Sequence, residues 1–276
     1  MSRTEHATQK VAAVQMSSGD RLEDNLRRAG ELLAEARAEG CVMAVLPENF
    51  AYVGVRDQDK LAVAECDGEG PIQAFVREAA RRHSMWVVAG SLPLRSAQPS
   101  LVYGACYVVD SEGEVRARYR KIHLFDVDLP DSAESYRESA SMDRGIEPVT
   151  ADTPLGRLGV TICYDVRFPE LYRRLVDSGA TVFSVAAAFT RTTGAAHWHA
   201  LLRARAIENL AYVVAAAQHG RHPNDRQTFG HSMIIDPWGR VLAEREAGDG
   251  LVIAGIDPIL PEKIRRGFPV LEHRRV

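Results

Sequence analysis

Hydrophobic positions along the first half of the chain follow two alternating periods. Short apolar runs of the kind found in buried strands alternate with segments whose apolar residues recur every three or four positions, as in amphipathic helices. The predicted helices are Leu22 to Gly40 and PIQAFVREAARRH, whose Pro71 suits a first helical position. Residues 126–158 show neither period and predict a long loop. The predicted strands are KVAAVQM, VMAVLP, MWVVAGSL and the two halves of LVYGACYVVDSEGEVRARYRK.

The second half of the chain repeats this alternation. Its predicted helices are FPELYRRLVDSG, AHWHALLRARAIEN and a final segment before the basic tail FPVLEHRRV. Its predicted strands are LGVTICY, ATVFSVAAAF, AYVVAAAQ, LVIAGID and the hairpin HSMIIDPWGRVLAE, which turns at 236–239. Strands buried on both faces with helices between them predict an α/β layered fold, and the shared rhythm of the halves predicts two packed sheets. No linker separates the halves, so we expect one domain over 1–276, with 1–9 as a flexible leader.

Composition narrows the class of protein. The 276 residues are 46% hydrophobic and 26% charged, as in an ordinary soluble globular protein. A net charge of −3 offers no bulk attraction to nucleic acid or to a membrane surface. The polar start MSRTEHATQK is not a secretory signal, and no apolar run approaches the roughly 18 residues of a membrane span. We therefore expect a cytoplasmic protein.

Cys163 lies where a predicted strand meets a predicted helix. The carboxyl end of a strand is where α/β proteins keep their sites, and a following helix N-terminus favours a thiolate. A buried core cysteine is the alternative interpretation. Cys41, Cys66 and Cys106 lack this setting and predict structural roles, and with no CxxC pair there is no disulfide framework.

Two further strand ends carry chemically useful side chains. Glu48 follows VMAVLP and is flanked by Pro47 and Phe50, where desolvation would raise its pKa toward that of a useful base. Lys121 follows another strand beside apolar residues, where it could act as a fixed cation. Both have an alternative as solvated surface charges. Together with Cys163 they would supply a base, an oxyanion stabiliser and a nucleophile.

The histidines indicate less about function than Glu48, Lys121 and Cys163 do. A papain-like Cys–His hydrolase would need a histidine beside the cysteine, and no motif places one there. His197 and His199 form an HxH pair, but positions i and i+2 of a helix face apart, so no metal site is predicted. His219 and His222 are expected to be surface or packing residues.

Taken together, three motifs resemble the carbon–nitrogen hydrolase (nitrilase) superfamily. They are LPENF with Glu48, YRKIHLFD with Lys121 and GVTICYDVRFPELY with Cys163. The resemblance extends from KVAAVQM to the C-terminal HRR. It implies a four-layer α-β-β-α sandwich, a homo-oligomer built on a dimer, and neither a metal nor an organic cofactor. It also implies a second glutamate, for which Glu138 is the matching position and a solvated loop charge the alternative.

A finer resemblance is carried by TGAAHWHALLRARAIEN, YVVAAAQHGRH, GHSMIIDPWGRV and FPVLEHRR. These stretches are similar to the deaminated-glutathione amidase branch of the superfamily. The sibling ω-amidase branch, which acts on α-ketoglutaramate, is the first alternative. Nitrilase and N-carbamoyl hydrolase specificities also remain open, as does a non-catalytic, redox-sensing thiol protein.

The resemblance implies a reaction on a small carboxamide and water. Glu48 would take the proton of Cys163, and the sulfur would attack the amide carbon. Lys121 and the backbone N–H of Tyr164 would hold the oxyanion, and ammonia would leave behind an acyl-thioester. Glu138 would bond to Lys121 or to the substrate and fix the geometry.

Several residues are candidates for substrate binding. Arg167 would grip a substrate carboxylate, with a surface arginine that pairs with Asp165 as the alternative. Phe189, Thr190 and Thr193 follow a predicted strand and would line the pocket, with an ordinary loop as the alternative.

Overall fold

The computed structural model describes residues 8–129, 135–223 and 225–275, so residues 1–7 of the predicted leader lie outside it. The helices are α1 (Leu22–Ala38), α2 (Pro71–His83), α3 (Pro169–Asp177), α4 (Arg191–Asn209) and α5 (Leu260–Gly267). The strands are β1 (Gln9–Gln15), β2 (Met43–Val45), β3 (Trp86–Val88), β4 (Leu92–Arg95), β5 (Val102–Val109), β6 (Val115–Arg120), β7 (Asp126–Asp128), β8 (Ser135–Arg137), β9 (Met142–Asp143), β10 (Thr150–Thr153), β11 (Gly156–Ile162), β12 (Val182–Ala187), β13 (Tyr212–Ala217), β14 (His219–Arg221), β15 (Gln227–Phe229), β16 (Ser232–Ile235), β17 (Val241–Arg245) and β18 (Gly250–Ile256). Within the described residues, every helix is too short or too polar to span a lipid bilayer.

Two mixed sheets form the centre of the molecule. The first has the order β18-β1-β2-β3-β5-β4, and β6 and β9 also pair with β5. The second has the order β10-β11-β12-β13-β16-β17. Both have a parallel core, formed by β1, β2 and β3 in the first sheet and by β11, β12 and β13 in the second. Glu48 and Cys163 follow the carboxyl ends of β2 and β11, and Lys121 follows β6.

Side-chain alternation along the strands explains how the sheets stack. In β1, Val11 and Ala13 pack into a core shared with the second sheet, whereas Ala12 and Val14 pack with buried residues of α1 and α2. The outer face of the second sheet is covered by α3 and α4, through side chains such as Leu171 and Leu202. Because successive residues of a strand face opposite ways, each sheet carries one helical layer and one face toward the other sheet. The predicted four-layer α-β-β-α sandwich is confirmed.

Two predicted elements differ in the structure. The region 126–158 was predicted as a long loop, but its described part contains β7 to β10 and the start of β11. These strands form because β7 pairs with β8 and β9 pairs with β5. The predicted strand MWVVAGSL ends at Val88 and resumes at Leu92. Gly90 breaks it with a φ of +54°, and a Cβ there would lie 2.0 Å from the carbonyl oxygen of Pro47.

Two further differences affect the site. Helix α4 begins at Arg191 rather than at Ala196, because the hydroxyl of Thr190 accepts a hydrogen bond from the N–H of Thr193 at 3.2 Å and caps the helix. Strand β11 ends at Ile162, and residues 163–167 form a 3₁₀ turn before α3. No α-helix therefore begins directly behind Cys163.

Candidate active site

Three side chains from distant parts of the chain meet at one cleft. Glu48 follows β2, Lys121 follows β6 and Cys163 follows β11, and their relative exposures are 4%, 2% and 7%. The cleft holds about 530 Å³ of space not filled by atoms. Its lining residues are Glu48, Asn49, Asp57, Lys60, Lys121, Phe125, Tyr136, Arg137, Glu138, Cys163, Tyr164, Ala188, Phe189, Thr190, Thr193 and Arg226.

Lys121 lies between two carboxylates. Its Nζ donates to Glu48 Oε1 at 2.8 Å and to both oxygens of Glu138 at 2.8 and 2.9 Å. Burial alone would lower the pKa of Lys121, but the charges of Glu138 and Glu48 outweigh it and raise that pKa above its usual value. Lys121 is thus a permanent, nearly immobile ammonium. Glu138 is held from its other side by the N–H of Phe125 at 2.6 Å, so it is not a solvated loop charge.

Glu48 connects the two sheets. Its Oε2 accepts the N–H of Ala188, at the end of β12, at 2.9 Å, and its backbone carbonyl accepts Gln218 Nε2 at 3.0 Å. Burial favours a raised pKa, as predicted from the apolar flanks, but the charge and hydrogen bond of Lys121 outweigh burial and lower the pKa of Glu48. The predicted rise is therefore wrong. Glu48 is a carboxylate at neutral pH, able to accept a proton.

Cys163 has the opposite electrostatic setting to the one predicted. Burial and the negative charge of Glu48 raise the pKa of the Cys163 thiol well above its usual value, and Lys121 offsets this only in part. The predicted support for a thiolate from a helix N-terminus is wrong, because a 3₁₀ turn follows Cys163 and α3 begins only at Pro169. Glu48 interacts with the Cys163 thiol and lines the same cleft, so the proton acceptor is already in place.

The backbone at Cys163 is strained. Its φ is +47°, in the left-handed region that is costly for any residue with a Cβ. Asp165, two residues later, is fully buried and holds this turn in place. Its Oδ2 accepts the N–H of Ile162 at 2.9 Å and the hydroxyl of Tyr119 at 2.7 Å, and its Oδ1 accepts the N–H of His123 at 3.2 Å. Asp165 therefore joins the cysteine turn to the segment that carries Lys121.

The remaining predicted residues fall into two groups. Tyr164, Phe189, Thr190 and Thr193 line the cleft. Arg167 does not line it.

Arg167 instead packs against the rings of two cleft residues, Phe189 and Tyr164. Its guanidinium is 5.1 Å from the ring centroid of Phe189, and its Nη1 lies 3.3 Å from His197 Nδ1. The alternative pairing with Asp165 is not formed either, because Tyr119, Ile162 and His123 occupy that carboxylate.

Sequence reasoning missed two cationic residues of the cleft, Arg226 and Lys60. Arg226 donates to the carbonyl of Ala188 at 3.1 Å and stacks over Tyr136 at 4.8 Å, and Lys60 also lines the cleft. Both come from irregular polar segments without any period or motif. Phe125, by contrast, belongs to the YRKIHLFD motif and could have been found there.

Comparison with known proteins identifies the family. The carbon–nitrogen hydrolase family model matches residues 10–266. The deaminated glutathione amidase of Yersinia enterocolitica is 42% identical over 266 residues, which cover 96% of this chain and 92% of that protein. The deaminated glutathione amidase of Synechocystis is 44% identical over 267 residues, which cover 96% of this chain and 97% of that protein.

A solved structure agrees with this result. Nit3 of Saccharomyces cerevisiae, a member of branch 10 of the nitrilase superfamily, superposes with a TM-score of 0.87 at 30% identity. The match covers 98% of this chain and 97% of that one. The family resemblance of the three motifs is thereby confirmed: the chain belongs to the carbon–nitrogen hydrolase family and is an amidase.

Proposed function

We propose that Glu48, Lys121 and Cys163 form the catalytic triad of this amidase and that its substrate is a small carboxamide bearing a carboxylate. The observation that carries the proposal is the contact between a carboxylate, a permanently charged ammonium and a buried thiol at one cleft. Nucleophilic amide hydrolysis needs these three functions.

The reaction begins with proton transfer. Glu48 accepts the thiol proton as the sulfur of Cys163 bonds to the amide carbon. The developing oxyanion is stabilised by the ammonium of Lys121 and the backbone N–H of Tyr164, while Glu138 keeps Lys121 in place. Removing one such donor costs about 3–4 kcal/mol of transition-state stabilisation.

Breakdown of the tetrahedral species returns the proton. Glu48 gives it to the departing nitrogen, the C–N bond breaks, ammonia leaves and Cys163 carries an acyl-thioester. Glu48 then takes a proton from water, whose oxygen attacks the thioester carbon, and the carboxylic acid leaves as the thiol regains its proton. Lys121 stays protonated throughout, consistent with its raised pKa.

Deaminated glutathione is the first substrate to test. It is the substrate named for the relatives from Yersinia and Synechocystis, and it carries carboxylates. Lys121 lies between the carboxylates of Glu48 and Glu138. The other charged residues that line the cleft are three cations and one carboxylate: Lys60, Arg137, Arg226 and Asp57. We assign the grip on a substrate carboxylate to Arg226, which lines the cleft, in preference to Arg167, which does not.

The test is ammonia release from a panel of deaminated glutathione, α-ketoglutaramate, glutamine, a nitrile and an N-carbamoyl amino acid. We expect the highest kcat/KM for deaminated glutathione and no turnover by Cys163→Ala. Fastest turnover of α-ketoglutaramate would make the protein an ω-amidase. Near-native turnover by Cys163→Ala would overturn the triad.

Mass spectrometry tests the covalent step. The intact protein, quenched during turnover, should gain the mass of the acyl group, and peptide mapping should place it on Cys163. A redox-sensing thiol protein would give no such adduct.

We further propose that the protein is cytoplasmic, because its four cysteines are free thiols and a reducing environment keeps them so. We also propose that it is a homodimer. Support for the dimer comes from an exposed apolar patch in which Ile207, Trp238 and Phe268 are 46%, 53% and 49% exposed. Light scattering should give twice the mass of the chain, and Trp238→Ser should shift it toward the monomer. A monomeric wild-type protein would contradict the proposal.

A further inference from the structure

A cluster of potential metal ligands lies outside the cleft, between helix α4 and the hairpin of β16 and β17. His199 belongs to α4, His231 directly precedes β16 and Glu244 belongs to β17. His199 Nε2 lies 2.7 Å from Glu244 Oε1, and His231 Nδ1 lies 2.6 Å from the same oxygen. All three candidate ligand atoms lie within 4.8 Å of one another.

The orientation of His231 is imposed by its surroundings. Its φ is +53°, so it holds a left-handed conformation despite its Cβ. Its N–H donates to the carbonyl of Glu246 at 3.1 Å, and its carbonyl accepts Trp198 Nε1 at 2.9 Å. Its ring stacks on Phe229, with centroids 4.1 Å apart. The ring of His231 is therefore held in one orientation by its surroundings, and metal-ligating histidines are likewise oriented by the groups around them.

The spacing of the two rings fits coordination to a common ion. Their centroids are 5.1 Å apart and their planes meet at 71°. Two imidazoles on one tetrahedral Zn²⁺, with Zn–N bonds of about 2.0–2.1 Å, place their centroids about 5 Å apart. Three ligand atoms of one tetrahedral zinc lie about 3.3 Å from each other. To admit the ion, Glu244 Oε1 would move about 0.6–0.7 Å away from each ring nitrogen, and the two ring nitrogens, now at most 4.8 Å apart, would adopt the same separation.

We propose that His199 Nε2, His231 Nδ1 and Glu244 bind one divalent transition-metal ion of the zinc type. Solvent completes the coordination, because all three side chains are partly exposed. Imidazole and carboxylate ligands suit Zn²⁺ rather than Mg²⁺, which prefers oxygen ligands and keeps its waters. On binding, each neutral ring carries its single proton on its other nitrogen, so the hydrogen bonds to Glu244 are exchanged for metal bonds.

The site lies beside the cleft wall without being part of it. Phe229, which stacks on His231, donates its backbone N–H to the carbonyl of the cleft residue Phe189 at 2.9 Å. Trp198, on the same helix as His199, packs against Phe189 with ring centroids 4.9 Å apart. A bound ion would therefore fasten α4 to the hairpin and support this wall.

Metal titration tests the proposal. Tag-free protein, stripped with a chelator, is titrated with Zn²⁺ against a chromophoric indicator. A Cys66→Ser/Cys163→Ser background removes the exposed thiol and the thiol of the cleft as competing sites. We expect one equivalent of Zn²⁺ per chain, at least tenfold weaker binding after His199→Gln or Glu244→Gln, and no competition from Mg²⁺.

His197→Gln is the matched control, because His197 lies two residues away on α4 and contacts Arg167 instead. It should leave zinc affinity unchanged. X-ray absorption should show two imidazoles at about 2.0–2.1 Å from the metal. Absence of stoichiometric binding would overturn the proposal, and so would equal affinity of the His199→Gln and His197→Gln variants. Circular dichroism of each variant separates loss of a ligand from loss of the fold.

Discussion

Asp165 provides the sharpest test of how the structure positions its reactive groups. It accepts four hydrogen bonds: from the N–H of Ile162 at 2.9 Å, the hydroxyl of Tyr119 at 2.7 Å, and the N–H and ring Nδ1 of His123 at 3.2 and 2.7 Å. We consider Asp165→Asn, which keeps the size of the side chain but replaces one carboxylate oxygen by an NH₂ donor.

The magnitude follows from which donors can adapt. The Tyr119 hydroxyl and the His123 ring can reverse their roles and accept from the new NH₂. A backbone N–H cannot, so either Ile162 or His123 loses its acceptor, at a cost of about 1–3 kcal/mol. The remaining bonds lose their ionic partner and weaken by about 1 kcal/mol each. We expect a total loss of about 3–5 kcal/mol in the free energy of unfolding.

Urea unfolding followed by circular dichroism measures this loss, and ammonia release under folding conditions measures activity. Activity should fall as well, because Asp165 joins the Lys121 segment to the Cys163 turn. Asp152→Asn is the control. That carboxylate is 80% exposed and pairs with Arg157 at 2.9 Å, so its loss should cost less than about 1 kcal/mol. Losses for the two variants within 1 kcal/mol of each other would refute the reasoning.

The remaining predictions concern the backbone and charges of the cleft. Gly90→Ala should lower both stability and activity, because the new Cβ would collide with the carbonyl of Pro47, the residue before Glu48. The control Gly40→Ala, at a φ of +81° in open space, should lower the free energy of unfolding by only about 1 kcal/mol. Urea unfolding measures both losses, and equal losses would contradict the predicted collision. Because the pKa of the Cys163 thiol is raised, its thiolate fraction should rise about tenfold per pH unit between pH 7 and 9. The rate of iodoacetamide labelling at Cys163, mapped by mass spectrometry, should rise with it. A plateau below pH 8 would show that the pKa is lowered instead. Arg226→Gln should raise KM at least tenfold for a carboxylated amide and leave KM for an uncharged amide unchanged. Arg191→Gln, outside the cleft, is the control and should leave both KM values unchanged. Equal effects of Arg226→Gln on both amides would show that Arg226 does not recognise the carboxylate.

The layered fold and the triad candidates could be predicted because both depend on local patterns. Alternating β-type runs and helical periods are set by the burial of each element, and burial needs no knowledge of the partner element. Glu48 and Cys163 each follow an apolar strand, and Lys121 follows a strand and precedes apolar residues, so all three positions are visible in the sequence. The region 126–158 escaped prediction because its strands are two to four residues long and show no period of their own.

Charge environments could not be read from neighbours along the chain. Glu48 has apolar flanks, which predicted a raised pKa, but its ammonium partner is 73 residues away and lowers it. Cys163 was expected to lie at a helix N-terminus, but burial and the carboxylate of Glu48 raise the pKa of its thiol. The HxH pair predicted no metal site, since His197 and His199 diverge. Only folding brings His199 to Glu244, 45 residues away along the chain.

Short-range hydrophobic periodicity along the chain was enough to predict the longer strands and helices, the two packed sheets and the three strand ends that bear reactive groups. The tertiary structure decided which side chains face the cleft, which charge meets which, and that Arg226 rather than Arg167 lies on its wall. The physical reason is range: burial is a property of each segment, whereas electrostatic interactions act across a few ångströms between segments that are far apart in the chain.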